Sequence, residues 1–144
     1  MCSKPVAIVT ASSKGIGAAA ARRLAADGFR LSLMARTERA TALAAEIGGI
    51  ATVGSVSVPA DLERLVNSTL DAWGRIDAVV CNTGATAKGE ILSISDGDWR
   101  EGLDMALLHA IRLARLVTPH MKAARGGAIV NTCRGRWLEP VPRA

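Results

Sequence analysis

Apolar and polar positions follow one another along this chain in two textures. Short aliphatic and β-branched runs are Val6–Thr10, Phe29–Ala35, Ile50–Gly54, Ala78–Cys81 and Ala128–Thr132. Between them lie longer stretches whose apolar residues recur three or four apart: Gly15–Asp27, Glu38–Ile47, Pro59–Trp73 and Asp98–Ala124. Short, continuously apolar runs predict strands buried on both faces, and the 3.6-residue period predicts helices. The punctuation agrees. Gly28, Gly48-Gly49 and Gly126-Gly127 follow three of the helices, and Pro59 opens another, where glycine past the end and proline at the start are favoured. Strands alternating with helices predict a parallel sheet with right-handed crossovers. The expected fold class is therefore α/β, a doubly wound parallel sheet with five strands visible. No internal repeat or linker interrupts it, so residues 1–144 read as a single domain or a piece of one.

The last helix carries apolar residues on two sides. On a 3.6-residue wheel Trp99, Leu103, Ala110, Ala114, Val117 and Met121 share one face, expected to pack on the sheet. Met105, His109, Leu113 and Leu116 form a second patch, flanked by Arg112 and Arg115. That patch predicts either a homo-oligomer contact through Asp98–Ala124 or a cover from further chain.

Composition narrows the partners. At 144 residues with 49% hydrophobic and 22% charged, the chain can build one ordinary core. No run of 18 apolar residues occurs, so no membrane partner is expected. The N-terminal run Pro5–Ala11 is short for a signal-peptide core, and none is read. Cys2, Cys81 and Cys133 are odd in number and form no CxxC pair, which argues against disulfides and zinc and for a cytoplasmic location. The net charge of +5 is spread along the chain, with three Trp and one Phe beside it. Nucleic acid is not an expected partner, because stacking aromatics and a basic block are both missing.

Candidate chemistry begins where the first strand runs into Thr10-Ala11-Ser12-Ser13-Lys14-Gly15-Ile16-Gly17 and then a helix. Backbone N–H groups at a helix start, aided by the helix dipole, favour a pyrophosphate. Glycines there permit close approach of ligand and sheet, although any tight turn can use two of them. The candidate cofactor-binding residues are Thr10, Ser12, Ser13, Lys14, Gly15, Ile16 and Gly17. About 20 positions on, where a NAD site carries an acid for the ribose hydroxyl, the chain reads Met34-Ala35-Arg36-Thr37. Arg36 joins the set, and with Lys14 it predicts NADP(H) in preference to NAD(H), since both cations suit a 2′-phosphate.

The turn resembles the TGxxxGIG of the short-chain dehydrogenase/reductase family, with Ala11 at its first Gly. Cys81-Asn82-Thr83-Gly84 resembles NNAG, adding Asn82 and Gly84 to the candidates. Trp73-Gly74-Arg75-Ile76-Asp77 resembles the lead-in to that strand, where Asp77 is a structural residue. Thr118-Pro119-His120-Met121 and Gly127-Ala128-Ile129-Val130-Asn131 resemble the following helix end and strand. The resemblance covers the chain to about Asn131 and is nearest in style to 3-oxoacyl-carrier-protein reductases. It implies a Rossmann dinucleotide-binding domain and an NADP(H)-dependent oxidoreductase that reduces a carbonyl or oxidises an alcohol.

The same resemblance implies a Tyr general acid/base, a Lys that lowers its pKa, a Ser on the substrate oxygen and an Asn supporting a water relay. The chain contains no Tyr. The Asn position falls on Ala106 and the Ser position on Arg134, with Cys133 before it. The Tyr and Lys would lie beyond Ala144, as would the last two strands. No catalytic residue is therefore assigned, and residues 1–144 are expected to be an apparently truncated domain, inactive alone. The alternative is a non-catalytic or degenerate nucleotide-binding relative that acts through cofactor binding or subunit pairing. Ser55 replaces an Asp that contacts adenine in relatives. Cys81 is expected to be a buried small hydrophobe, and His109 and His120 to be structural. An isolated chain with an open last strand is expected to self-associate.

Overall fold

The structure, a computed structural model, describes residues 4–132. Five strands, β1 (Val6–Thr10), β2 (Arg30–Ala35), β3 (Ile50–Val53), β4 (Ala78–Cys81) and β5 (Ala128–Asn131), form one sheet in the order β3-β2-β1-β4-β5. All four pairings are parallel, with Ile8 beside both Ser32 and Val79. The helices α1 (Gly15–Ala26), α2 (Arg39–Ile47) and α3 (Pro59–Trp73) fill the first three crossovers. The last crossover is α4 (Asp96–Leu103), a π-helical turn (Asp104–Leu108) and α5 (His109–Ala123).

Side chains alternate across a strand, so each strand feeds two cores. Ala7, Val9, Leu31, Leu33 and Ala35 pack against Ala18, Ala21, Ala40, Leu43 and Ala44 on one face. Ile8, Met34, Val79 and Cys81 point the other way, toward Leu62, Leu65 and Val66 of α3 and Leu113, Val117 and Met121 of α5. The polar interruption at Ser32 is satisfied where its hydroxyl meets that of Thr69 at 2.7 Å. Two helices end in left-handed glycines, Gly48 at φ 67° and Gly74 at φ 68°, a conformation that a Cβ would strain. Asp77 ties the sheet ahead of β4. Its carboxylate accepts from the Val6 N–H at 2.7 Å and from Arg75 at 2.6 and 2.9 Å, and the arginine above all holds its pKa below the ordinary carboxylate value.

Two expectations need correction. The last helix buries a stripe that mixes the two predicted faces: Val117 and Met121 pack on the sheet as expected, but Met105, His109 and Leu113 of the second patch are buried with them, while Trp99 and Leu103 are 46% and 50% exposed. The π-helical turn is the reason. Its larger number of residues per turn delays the phase between α4 and α5, so Trp99 and Leu103 no longer share a face with residues seven or more positions on. Ala110 and Leu116 pack at the margin of the core, and Arg112 reaches Asp104 at 2.6 Å rather than flanking an open patch. The second correction concerns β5. Its four residues are exposed, not buried on both faces, because none of them joins either core among the described residues; it is also an edge strand, with a neighbour on one side only among those residues.

Candidate functional site

The chain leaves β1 toward β2 on one side and reaches β4 on the other, so the sheet order reverses between β1 and β4. Open α/β sheets bind ligands outside the carboxyl ends of the strands at that point. A cavity of about 550 Å³ lies there, within the range of small-molecule sites. The turn after β1 lines it with Ala11, Ser13, Lys14, Gly15 and Ile16; Arg36, Thr37 and Arg39 follow β2; Ser55 follows β3 and Asn82, Thr83 and Gly84 follow β4. Glu101 and Met105 enter from the last crossover.

Of the residues singled out in the sequence, Ser13, Lys14, Gly15, Ile16, Arg36, Asn82 and Gly84 line this cavity. Thr10, Ser12 and Gly17 do not; they hold its floor. The buried Thr10 hydroxyl donates to the Asn82 carbonyl at 2.6 Å and accepts the Asn82 N–H at 2.9 Å. Ser12 donates both its N–H and its hydroxyl to the Met34 carbonyl, at 3.0 and 3.2 Å. A Cβ on Gly17 would stand 2.5 Å from the Ala11 carbonyl oxygen and 2.8 Å from Asn82 Nδ2. That glycine is required by space. Gly15 is required by conformation instead: its φ is 58° and a Cβ there would meet nothing. Ala11, at the position where the resemblance expects Gly, also takes a positive φ, of 48°, a left-handed state that costs a side-chain-bearing residue roughly 1–2 kcal/mol.

Asn82 fastens three segments. Its Nδ2 donates to the Ala11 carbonyl at 3.2 Å and its Oδ1 accepts from the Thr132 hydroxyl at 2.8 Å. The glycine-rich turn, the end of β4 and the exit of β5 are therefore one hydrogen-bonded unit. His109 supports it from below. Its Nδ1 donates to the Met105 carbonyl at 2.7 Å and its Nε2 lies 3.4 Å from Thr10 Oγ1, and burial holds its pKa under the usual histidine value. Burial also pushes the Cys81 thiol up to about 11, which leaves it protonated and unreactive at neutral pH.

Basic side chains outnumber acidic ones in the lining, with Lys14, Arg36 and Arg39 against Glu101. Lys14, Arg36 and Arg39 line the cavity and have no acidic partner among the described residues. Neighbouring Arg22, by contrast, is neutralised by Glu46 at 2.7 and 2.9 Å. Neither α1 nor α2 has an acid in its first turn, although Glu38 occupies the N-cap of α2; Lys14 caps the first and Arg39 opens the second. Cations at helix N-termini oppose the helix dipole, so an anion placed between them is stabilised twice over. Residue type thus fits a dinucleotide carrying phosphate at both places, with open space over Gly15 to receive it. Arg39 escaped the sequence reading. Its signal was present, a basic residue three positions after Arg36 at the start of a predicted helix.

Ala106 lies exposed on the π-helical turn, with no polar side-chain atom for the relay role its position implies. His120 is exposed near the end of α5. Cys133 and Arg134 lie outside the described residues. Among the described residues no cluster of His, Cys, Asp and Glu is placed to hold a metal, and no helix is long and apolar enough to cross a membrane.

A family model described as short chain dehydrogenase matches residues 5–143. Dehydrogenase/reductase SDR family member 4 of Caenorhabditis elegans is 35% identical over 135 residues, 87% of this chain and 51% of that protein. The 3-oxoacyl-[acyl-carrier-protein] reductase of Synechocystis sp. is 34% identical over 133 residues, 88% of this chain and 54% of that protein. Among solved structures, L-sorbose reductase from Gluconobacter frateurii, complexed with NADPH and L-sorbose, superposes with a TM-score of 0.88 at 31% identity, covering 97% of this chain and 56% of that one. The chain thus spans about half the length of the curated relatives it matches.

Proposed function

Because the chain belongs to the short-chain dehydrogenase family, we propose that residues 1–144 form the cofactor-binding part of an NADP(H)-dependent oxidoreductase that interconverts a carbonyl and an alcohol. One observation carries the reading: three cations with no acidic partner among the described residues, and the acid-free N-terminus of α1, converge on one cavity at the switch point of the sheet. The nicotinamide cofactor, when bound, supplies or accepts the hydride. The chain's own residues bind and orient it. Backbone N–H groups from Ser13 to Ile16 face the pyrophosphate, and Lys14, Arg36 and Arg39 face the 2′-phosphate, where a carboxylate would repel it. Asn82 and Thr10 keep the turn and the end of β4 in register beneath it.

Proton transfer has no carrier in this stretch. A Tyr is absent from the sequence and Ala106 cannot hold a water through its side chain. Residues 1–144 are therefore expected to bind nucleotide without turning it over, as a single domain that represents part of the catalytic unit. Two further proposals accompany this one. The exposed apolar strip Leu103, Leu107 and Ile111 is the surface for pairing with a second copy, and the buried free thiol of Cys81 suits a reducing cytoplasm.

The test is equilibrium titration of the chain with NADPH and with NADH, followed by nucleotide fluorescence. Saturable binding at micromolar concentrations, at least tenfold tighter for NADPH, is expected; that ratio corresponds to about 1.4 kcal/mol. Equal affinities would remove the 2′-phosphate assignment, and no binding of either compound would end the nucleotide reading. Ketone reduction by residues 1–144 alone would overturn the inactive half of the proposal.

A further inference from the structure

Thr83 lines the cavity immediately after Asn82 and is partly exposed, yet its Oγ1 is buried and has no hydrogen-bond partner among the described residues. Three hydroxyls beneath this cavity are engaged. Thr10 pairs with Asn82, Ser12 with Met34, and Thr132 with the Asn82 side chain. A buried hydroxyl without a partner keeps its desolvation cost uncompensated, so native structures rarely retain one without reason. Threonine has a simple remedy. One staggered step about χ1 cycles its hydroxyl, methyl and hydrogen among three positions, which moves the orphaned oxygen to a new side without disturbing the backbone.

We propose that Thr83 is a ligand-directed residue whose hydroxyl hydrogen-bonds an oxygen of the bound dinucleotide on the β4 side of the sheet. This rests on the nucleotide reading above and adds a residue and a direction to it. Arg36 and Arg39 follow β2 and hold the adenosine end, and the start of α1 lies between. Thr83 stands across the switch point from those cations, at the end of β4. The oxygen it meets therefore belongs to the far phosphate or the ribose beyond it, not to the adenosine half. Met105, 3.6 Å from the Cβ position of neighbouring Gly84, supplies an apolar wall that keeps water from competing for the same hydroxyl.

Two ligands and two variants test this. Thr83→Val keeps the shape and the β-branch but removes the hydroxyl; Thr83→Ser keeps the hydroxyl. Titrations with NADPH and with adenosine 2′,5′-bisphosphate, which carries only the adenosine half, separate the two ends of the cavity. Thr83→Val is expected to weaken NADPH roughly three- to tenfold, the loss of one ordinary hydrogen bond, and to leave the bisphosphate unchanged. Thr83→Ser should hold NADPH within about twofold of the parent chain. The nucleotide-free Thr83→Val chain should melt no lower than the parent, because an unpaired buried hydroxyl has been removed. An unchanged NADPH affinity, an equal loss for both ligands, or a lower melting temperature in Thr83→Val would each overturn the inference. Parent chain that binds neither ligand would instead sink the nucleotide reading itself.

Discussion

The turn after β1 and the crossover after β4 face each other across one cavity, and they are built by opposite means. In the turn nearly every residue is held individually: Thr10 and Ser12 by paired hydrogen bonds, Gly15 by its positive φ, Gly17 by a carbonyl too close for a Cβ. The crossover from α4 to α5 is held by one buried stripe, Met105 to Met121, while Leu103, Leu107 and Ile111 remain exposed. The first region has one arrangement that satisfies it. The second satisfies the fold with that stripe and leaves its other apolar residues exposed. Local constraint and free surface therefore divide along the two sides of the binding site.

The comparison breaks first at Gly17. Replacement by Val drives a side chain into the Ala11 carbonyl and the Asn82 amide, and should cost about 3 kcal/mol, the upper end of ordinary overpacking. Chemical denaturation would read that loss, and a stable Gly17→Val chain would show that the turn yields where the geometry says it cannot. Arg36→Asp leaves the turn intact but reverses the charge at the end of β2. It should move the preference from NADPH toward NADH by tenfold or more, about 1.4 kcal/mol; an unchanged ratio in paired titrations would leave Arg39 and Lys14 as the effective cations.

His109 joins the two regions and gives a pH signature. Its folded-state pKa lies below the ordinary value of 6.5 because of burial, so the unfolded chain takes up a proton more readily. Stability is then fully present above pH 6.5 and declines as pH falls through the interval down to the folded-state pKa. Thermal melts between pH 6.5 and 5 should show the decline, and His109→Gln should flatten it. The smallest effect on folding is expected at Leu107, 52% exposed. Leu107→Glu should alter stability by about 0.5 kcal/mol or less, as surface changes do, while shifting sedimentation toward the monomer. An oligomer that survives it places the contact elsewhere.

Much of this architecture could be read from the sequence because it depends on short-range rules. Val6–Thr10 and Ala78–Cys81 were recognisable as strands from unbroken apolar runs, and their ends coincide with those observed. Lys14 and Arg36 could be placed together since a βα turn and the end of the next strand adjoin in any doubly wound sheet. The last helix was harder for a physical reason. A wheel assumes constant pitch, and the turn at Asp104–Leu108 changes it, so every face drawn across that turn was displaced. Arg39 and Thr83 were also missed. Each is ordinary in its own segment, and only the cavity joins them.

By itself, then, the sequence determined the alternation of strands and helices, the glycine-containing start of α1, the excess of cations over acids at the end of β2, and the absence of Tyr from these 144 residues. Those follow from backbone conformation, apolar period and residue type, which act within a few positions of one another. Tertiary structure alone decided which face of the last helix is buried, that Asn82 clamps the turn to the exit of β5, that three cations converge with no acidic partner among the described residues, and that the buried Thr83 hydroxyl has no hydrogen-bond partner among them. These depend on distances between residues as much as 99 positions apart, as for Thr10 and His109, and no pattern along the chain encodes a distance through space.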